Sequence, residues 1–325
     1  MDKINKMFGI TLGDPCGIGT EITLKSLKSV PEYVNRCILF GSLALLEHYN
    51  EMFGYGFKFN KIENTKDFKE GYVNVHDPVN ISLDDFEVGK VSANGGKCAF
   101  LSVKAAIDFA LRKDISSVVT APLNKEALHL AGYKYAGHTE IFGEFTHGKS
   151  YAMLLWSDKL KVIHVTTHMS LRDACDNAKK QRIMDVVHLA DETLKKQGYV
   201  SPKIAVAGLN PHAGENGIFG REEIEEIQPA VEQCKKEGIN VCGPIPPDTV
   251  FLKMYNGEYD IVVAMYHDQG HIPLKLLNFD SGVNITVGLD VVRTSVDHGT
   301  AFDIAGKNIA REDSMLKAIE IGMKL

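Results

Sequence analysis

The sequence lacks several features that would settle its class at once. Its six cysteines (Cys16, Cys37, Cys98, Cys175, Cys234, Cys242) are scattered through 325 residues with no C-x-x-C pair. That excludes a disulfide framework and a paired-cysteine zinc module, and the thiols read as reduced and mostly structural. No uninterrupted apolar stretch reaches membrane-spanning length, so no membrane partner is expected. There is no basic block: 36 Lys+Arg stand against 42 Asp+Glu, a net charge of −6. Nucleic acid is therefore not the expected partner, although a small phosphorylated ligand needs only a few local cations. The opening residues, MDKINKMFGITLGDP, lack the apolar core and cleavage site of a secretory signal, and a cytoplasmic location is expected. No internal repeat, low-complexity tract, G-x-G-x-x-G dinucleotide fingerprint or G-x-S-x-G nucleophile elbow occurs.

What is present is ordinary globular composition, 44% hydrophobic and 24% charged, in a chain long enough for about two domains. Short apolar segments at 7–12, 37–40, 117–120, 151–155, 161–165, 204–207, 261–265 and 283–287 read as buried parallel strands. Helical stretches lie between them. Residues 99–112 carry a broad apolar face. In 178–197, Ile183, Val186, Val187, Ala190 and Leu194 form one stripe, with Gly198 as a stop. In 221–236, Ile224, Ile227, Val231 and Cys234 fall on one side, Glu222 and Glu223 open the helix and Lys235 and Lys236 close it, matching the helix dipole. Alternating strands and helices predict an α/β protein with a largely parallel sheet. Residues 54–90 are polar and irregular and read as a peripheral hairpin region.

Ligands of open α/β sheets bind at the carboxyl ends of strands. Three segments leave predicted strands through histidines: Thr166-Thr167-His168, Gly208-Leu209-Asn210-Pro211-His212 and Tyr266-His267-Asp268-Gln269-Gly270-His271. Convergence of His168, His212 and His267 would make a divalent-metal site with open positions; the competing reading is three hydrogen-bonded loop histidines. His267 and His271 have helical i,i+4 spacing, but Gly270 and Pro273 argue against a stable helix there. The turn Gly13-Asp14-Pro15-Cys16-Gly17-Ile18-Gly19 is either an anion-binding helix start or a tight turn with no ligand. Gly143–Ser150 matches the P-loop letter for letter, yet a helix-like segment precedes it and a strand follows, the reverse of what phosphate binding needs. Lys275 and Arg293, with Asn284 between them, could clamp a phosphate or carboxylate, or could be solvated surface cations.

These residues resemble the 4-hydroxythreonine-4-phosphate dehydrogenase family, including its paralogues acting on D-threonate and D-erythronate 4-phosphates. The resemblance runs nearly end to end. It rests on ITLGDPCGIG at 10–19, GHTE at 137–140, TTHMSLRD at 166–173, GLNPHAGE at 208–215, PPDT at 246–249, MYHDQG at 265–270 and VNITVGLDVVRTSVDHGTAFDIAG at 283–306. It implies an α/β fold of the isocitrate/isopropylmalate dehydrogenase type, with two domains, largely parallel sheets and an interdomain active-site cleft. The outer domain would comprise 1–130 plus 296–325, and 131–295 would form the inner one, carrying the metal site and a homodimer interface.

By position, the resemblance makes His168, His212 and His267 ligands of one divalent metal (Zn, Mg or Co). It makes His138, Thr139, Lys275, Asn284 and Arg293 substrate-binding, and Asp248 a further cleft residue. Lys275, Asp248 and His138 remain alternatives for the general base. NAD (or NADP) would be held without the usual fingerprint, by residues the motifs do not identify. The implied reaction oxidises a 4-phosphorylated 3-hydroxy acid to a 3-keto acid that decarboxylates, giving 3-amino-2-oxopropyl phosphate or dihydroxyacetone phosphate. Two departures point toward the sugar-acid-phosphate paralogues: Asn124-Lys125 after Thr120-Ala121-Pro122, and His271-Ile272-Pro273 after the HDQG run. A metal-dependent phosphatase using the same histidines and a nucleotide switch on Gly143–Ser150 are the competing functions.

Overall fold

The computed structural model describes residues 7–146, 150–278 and 282–325. Twelve strands alternate with helices among these residues. The strands are β1 (Phe8–Thr11), β2 (Cys37–Phe40), β3 (Phe59–Lys61), β4 (Val73–His76), β5 (Ser117–Thr120), β6 (Ala152–Trp156), β7 (Lys161–His164), β8 (Ile204–Ala207), β9 (Val241–Ile245), β10 (Ile261–Ala264), β11 (Val283–Val287) and β12 (Val292–Val296). The helices are α1 (Gly19–Ser29), α2 (Leu43–Phe53), α3 (Ala93–Leu111), α4 (Lys125–Leu130), α5 (His138–Phe145), α6 (Leu171–Asn177), α7 (Lys180–Lys196), α8 (Gln228–Lys236), α9 (Pro247–Tyr255), α10 (His267–Asn278) and α11 (Asp313–Lys324). The chain divides into two compact units, Met1–Gly148 with Leu289–Lys324, and Lys149–Gly288.

In the first unit six strands run in the order β3-β4-β2-β1-β5-β12, all parallel. The central ones are apolar throughout because helices cover both faces, and every residue of β1, β2 and β5 is buried. Ile38, Phe40, Phe100, Phe109 and Phe142 belong to one core cluster, with the Phe40 and Phe109 rings edge to face at 5.0 Å. Region 54–90 is not a hairpin: β3 and β4 pair in parallel and extend the sheet edge. Their connection holds a short turn at Thr65–Asp67 and is long enough for a crossover, which antiparallel strands would not need.

Helix α3 begins six residues before the predicted start, at a Ser92 cap whose hydroxyl accepts from the Gly95 amide. The Gly95-Gly96 pair in its first turns is there for packing. A Cβ on Gly96 would lie 2.0 Å from the Ala127 carbonyl oxygen of α4. Residues 131–148 and 289–295, assigned above to the inner domain, fall in this first unit, where α5 packs on α3 and β12 pairs with β5.

In the second unit the order is β11-β6-β7-β10-β8-β9. Strands β11 and β6, and β6 and β7, are antiparallel; β7, β10, β8 and β9 are parallel. Leu155, Leu160, Ala205, Val250, Val262 and Leu274 form its core. The stripe Ile183, Val186, Val187, Ala190 and Leu194 of α7 is buried as its spacing predicts. The following helix differs from expectation. It opens with a π-helical turn, Glu223–Ile227, whose extra residue rotates Ile224 to 39% exposure and turns Glu223 inward to 3%.

Candidate functional site

Strand β10 lies between β7 and β8 in the second unit, all three parallel, so their carboxyl ends share one edge. His168, His267 and His212 follow β7, β10 and β8 at that edge. The three exits are tied together by hydrogen bonds. Thr166 donates through its hydroxyl to the Met265 carbonyl at 2.8 Å. The buried Gln269 accepts from the Met265 amide at 2.7 Å and donates to the Gly208 carbonyl at 2.8 Å. The sheet thus sets where each loop starts, and Gln269 links two of them.

The rings of His168 and His267 lie 5.6 Å apart, beside a cavity of about 460 Å³ lined by Thr167, His168, Met169, Tyr266, His267 and Asp268 among others. His267 Nδ1 pairs with Asp268 Oδ1 at 2.7 Å. That contact holds the Asp268 carboxyl below its ordinary range and leaves Nε2 as the ring atom of His267 that could hold a cation. The donor atoms of His168, His212 and His267 are not all within 4.8 Å of one another. Among the described residues the group of three meeting that distance is His188, Cys234 and Glu237, between α7 and α8. There both imidazole nitrogens are already engaged, Nδ1 on the Met184 carbonyl and Nε2 on Glu237, each at 2.7 Å, as packing of the two helices requires.

The region after β10 corrects one expectation. Helix α10 forms over His267–Asn278 with Pro273 inside it. Proline costs it the amide of one turn, but Gly270 lets α10 lie against β7, since a Cβ there would be 2.3 Å from His164 Nε2. The discounted i,i+4 pair is therefore real: the His267 and His271 rings stack with centroids 3.6 Å apart. His271 lies 5.0 Å from the ring of His164, which is fully buried. Burial pushes the His271 imidazole down to about 4 and that of His164 to about 3, so both are neutral, the form that ligates. Their approach to His267 is not legible in the sequence, because His164 lies within a strand and helix-breaking residues mask the α10 signal.

His212 is carried differently. Residues His212, Ala213, Gly214, Glu215 and Asn216 all have positive φ, from 44° to 79°. For the non-glycine members this left-handed turn costs roughly 1–2 kcal/mol each. Of the other expected residues in this unit, Lys275 is exposed on α10 but close enough to act on the charge of His271. Asn284 on β11 donates to Met153 Sδ at 3.0 Å, and its Oδ1 is buried with no partner. Asp248 is exposed in the first turn of α9, a helix that packs on the His212 turn.

The first unit assembles the other expected residues. Arg293 on β12 is buried, with Nε 3.3 Å from the Thr120 hydroxyl and Nη1 3.4 Å from the Thr139 hydroxyl. Burial lowers its pKa to about 10, leaving it cationic at neutral pH. His138 and Thr139 open α5, whose amides and dipole favour an anion. His138 is buried with Nε2 unpartnered; burial first, then Arg293, hold it well below the usual imidazole range. A buried guanidinium, two hydroxyls and a helix start together have the chemistry to hold a phosphate or carboxylate. Thr120 was missed as part of it, although its T-x-P turn was noted.

Two other motifs are resolved by local geometry. The glycines of 13–19 are filled by the chain itself: a Cβ on Gly13 or Gly19 would stand 2.1 Å from the carbonyl oxygen of Pro122 or Leu12. The turn is a packing device there rather than an open anion cradle. In Gly143–Ser150, α5 precedes and β6 follows, as expected; His147, Gly148 and Lys149 lie outside the described residues.

Comparison with known proteins agrees with the motifs. The family model "Pyridoxal phosphate biosynthetic protein PdxA" matches residues 33–322. The chain is 50% identical over 323 residues to the D-threonate 4-phosphate dehydrogenase of Salmonella typhimurium, covering 98% of this chain and 99% of that protein. It is 46% identical to the crystal structure of 4-hydroxythreonine-4-phosphate dehydrogenase from Klebsiella pneumoniae, with a TM-score of 0.89 and coverage of 100% and 99%. Isocitrate dehydrogenase from Methylococcus capsulatus, at 13% identity, TM-score 0.50 and coverage of 98% and 85%, shares the fold alone. An α/β chain with these strand ends and this full-length similarity is a member of the PdxA family.

Proposed function

We propose that this chain is a dehydrogenase that oxidises the secondary hydroxyl of a 4-phosphorylated 3-hydroxy acid, with decarboxylation of the keto acid formed, and that D-threonate 4-phosphate is its preferred substrate. The observation that carries the reading is the exit of His168, His267 and His212 from three neighbouring parallel strands. The donor types suit a divalent ion: His168 and His267 lie beside one cavity, and Asp268 fixes the His267 tautomer. A divalent ion held by His168, His212 and His267 would supply Lewis acidity toward the hydroxyl, and a bound NAD(P) would be the hydride acceptor.

The protein's own residues do the rest. Within the first unit, Arg293, Thr139 and the start of α5 suit an anionic group; within the second, Asn284 offers a buried Oδ1 to a hydroxyl. His138 is assigned to binding rather than proton abstraction, because its buried ring beside Arg293 resists taking a proton at neutral pH. Lys275 and Asp248, exposed in the unit of the imidazoles, are left for proton transfer. The substrate assignment is supported by the Salmonella relative's name and by the His271-Ile272-Pro273 departure. The exposed apolar residues Ile272, Leu276 and Leu277 of α10 support a homodimer.

Initial rates on D-threonate 4-phosphate, D-erythronate 4-phosphate and 4-hydroxy-L-threonine 4-phosphate, each with NAD and NADP, test this. Reduced nicotinamide and CO₂ should appear fastest with D-threonate 4-phosphate, and chelation or His212→Ala should abolish both. Phosphate release without nicotinamide reduction would instead establish the hydrolase.

A further inference from the structure

We infer that Glu223 is a positioning residue for His212, its buried carboxylate holding the left-handed turn in the shape that presents the imidazole to a cation. This rests on the reading of His212 as a metal ligand. Glu223 lies eleven residues beyond His212 and has 3% of its surface exposed. Its Oε1 accepts from the amides of Leu209 and Asn210, both at 2.7 Å, and its Oε2 from Asn210 Nδ2 at 2.9 Å. Asn210 Nδ2 also donates to Glu222 at 2.7 Å. Both carboxylate oxygens are therefore spent on the segment that leads into the turn.

The surroundings are built to the same end. A Cβ on Gly214 would stand 2.6 Å from Glu223 Oε2, and one on Gly220 would stand 2.4 Å from Asn210 Nδ2. A Cβ on Gly208 would meet Ala213 at 2.8 Å and Glu223 Oε1 at 3.3 Å. Three glycines thus admit the carboxylate and its amide partner into close contact with the turn. The π-helical turn Glu223–Ile227 is what aims the side chain inward, because a turn with one more residue than the α-helix rotates Glu223 in and Ile224 out. A carboxylate anchoring a strained turn of non-glycine residues keeps a metal ligand preorganised; without it the turn relaxes toward right-handed backbone and the ring swings away.

Cobalt(II) binding to the metal-free full-length protein, measured by calorimetry and by the cobalt absorption bands, tests the inference. Glu223→Ala should weaken cobalt binding about 10–100-fold. Glu223→Gln, which keeps an acceptor for the two amides but not for Asn210, should fall between Ala and wild type. Circular dichroism and thermal unfolding verify that each variant is folded at the assay temperature. If Glu223→Ala does not fold, Glu223→Gln and Asn210→Ala carry the test, and each should lower affinity and shift the bands. Wild-type affinity and bands in the folded Glu223 variants, with His212→Ala impaired, would overturn the positioning role alone. Wild-type cobalt affinity in His212→Ala would instead overturn the ligand assignment beneath it.

Discussion

Arg293 keeps only 3% of its surface exposed and hydrogen-bonds to the hydroxyls of Thr120 and Thr139. A guanidinium held out of water gains from a bound phosphate or carboxylate far more than a surface cation does, and its planar fork fixes the anion's orientation. Arg293→Lys should therefore raise KM for the phosphorylated substrate about 10–100-fold, as steady-state kinetics would show. Asp14 presents the opposite case. Burial raises its carboxyl to about 6 from an ordinary 3.8, the Cys16 amide only partly offsetting this, and Oδ2 has no partner. A raised folded-state pKa means the folded protein binds the proton more tightly than the unfolded chain. Its stabilising contribution is full below pH 4 and is lost as pH rises through about 6. The loss is on the order of 2–3 kcal/mol. Asp14→Asn should remove that slope from urea-unfolding free energies measured between pH 4 and 8.

At the scale of elements, the apolar runs identify strands because a parallel strand covered on both faces needs no polar residue. The stripe of α7 is legible because that helix buries one face only, at the 3.6-residue spacing of its apolar positions. Helices were misread where a local rule was overridden by a tertiary contact. Gly270 and Pro273 weaken α10 locally, yet the glycine is what allows the helix to meet His164. Gly270→Ala should accordingly destabilise the protein by about 1–3 kcal/mol in chemical denaturation, opposite to the gain that alanine brings to an exposed helix. The π-helical turn before α8 was invisible for a related reason. Periodicity of 3.6 residues put Ile224 inside, whereas the buried bonds of Glu223 reward an underwound turn with one extra residue.

For the molecule as a whole, α10 carries exposed Ile272, Leu276 and Leu277, with Leu276 at 80%. Three large apolar side chains on a helix that also holds His267 are expected to be covered by a second copy. Leu276→Asp should shift the protein from dimer to monomer in sedimentation velocity without loss of helical circular dichroism. An unchanged sedimentation coefficient would remove this face from the interface.

The α/β class, the histidine-bearing strand exits and family membership are legible in the chain alone, because apolar periodicity and long ordered motifs are local properties that need no coordinates. The insertion of β10 between β7 and β8, the burial of Arg293 with His138 and Thr139, and the inward turn of Glu223 emerge only on folding. Those outcomes depend on strand order and on desolvation, both set by residues distant in the chain, and no local pattern encodes either.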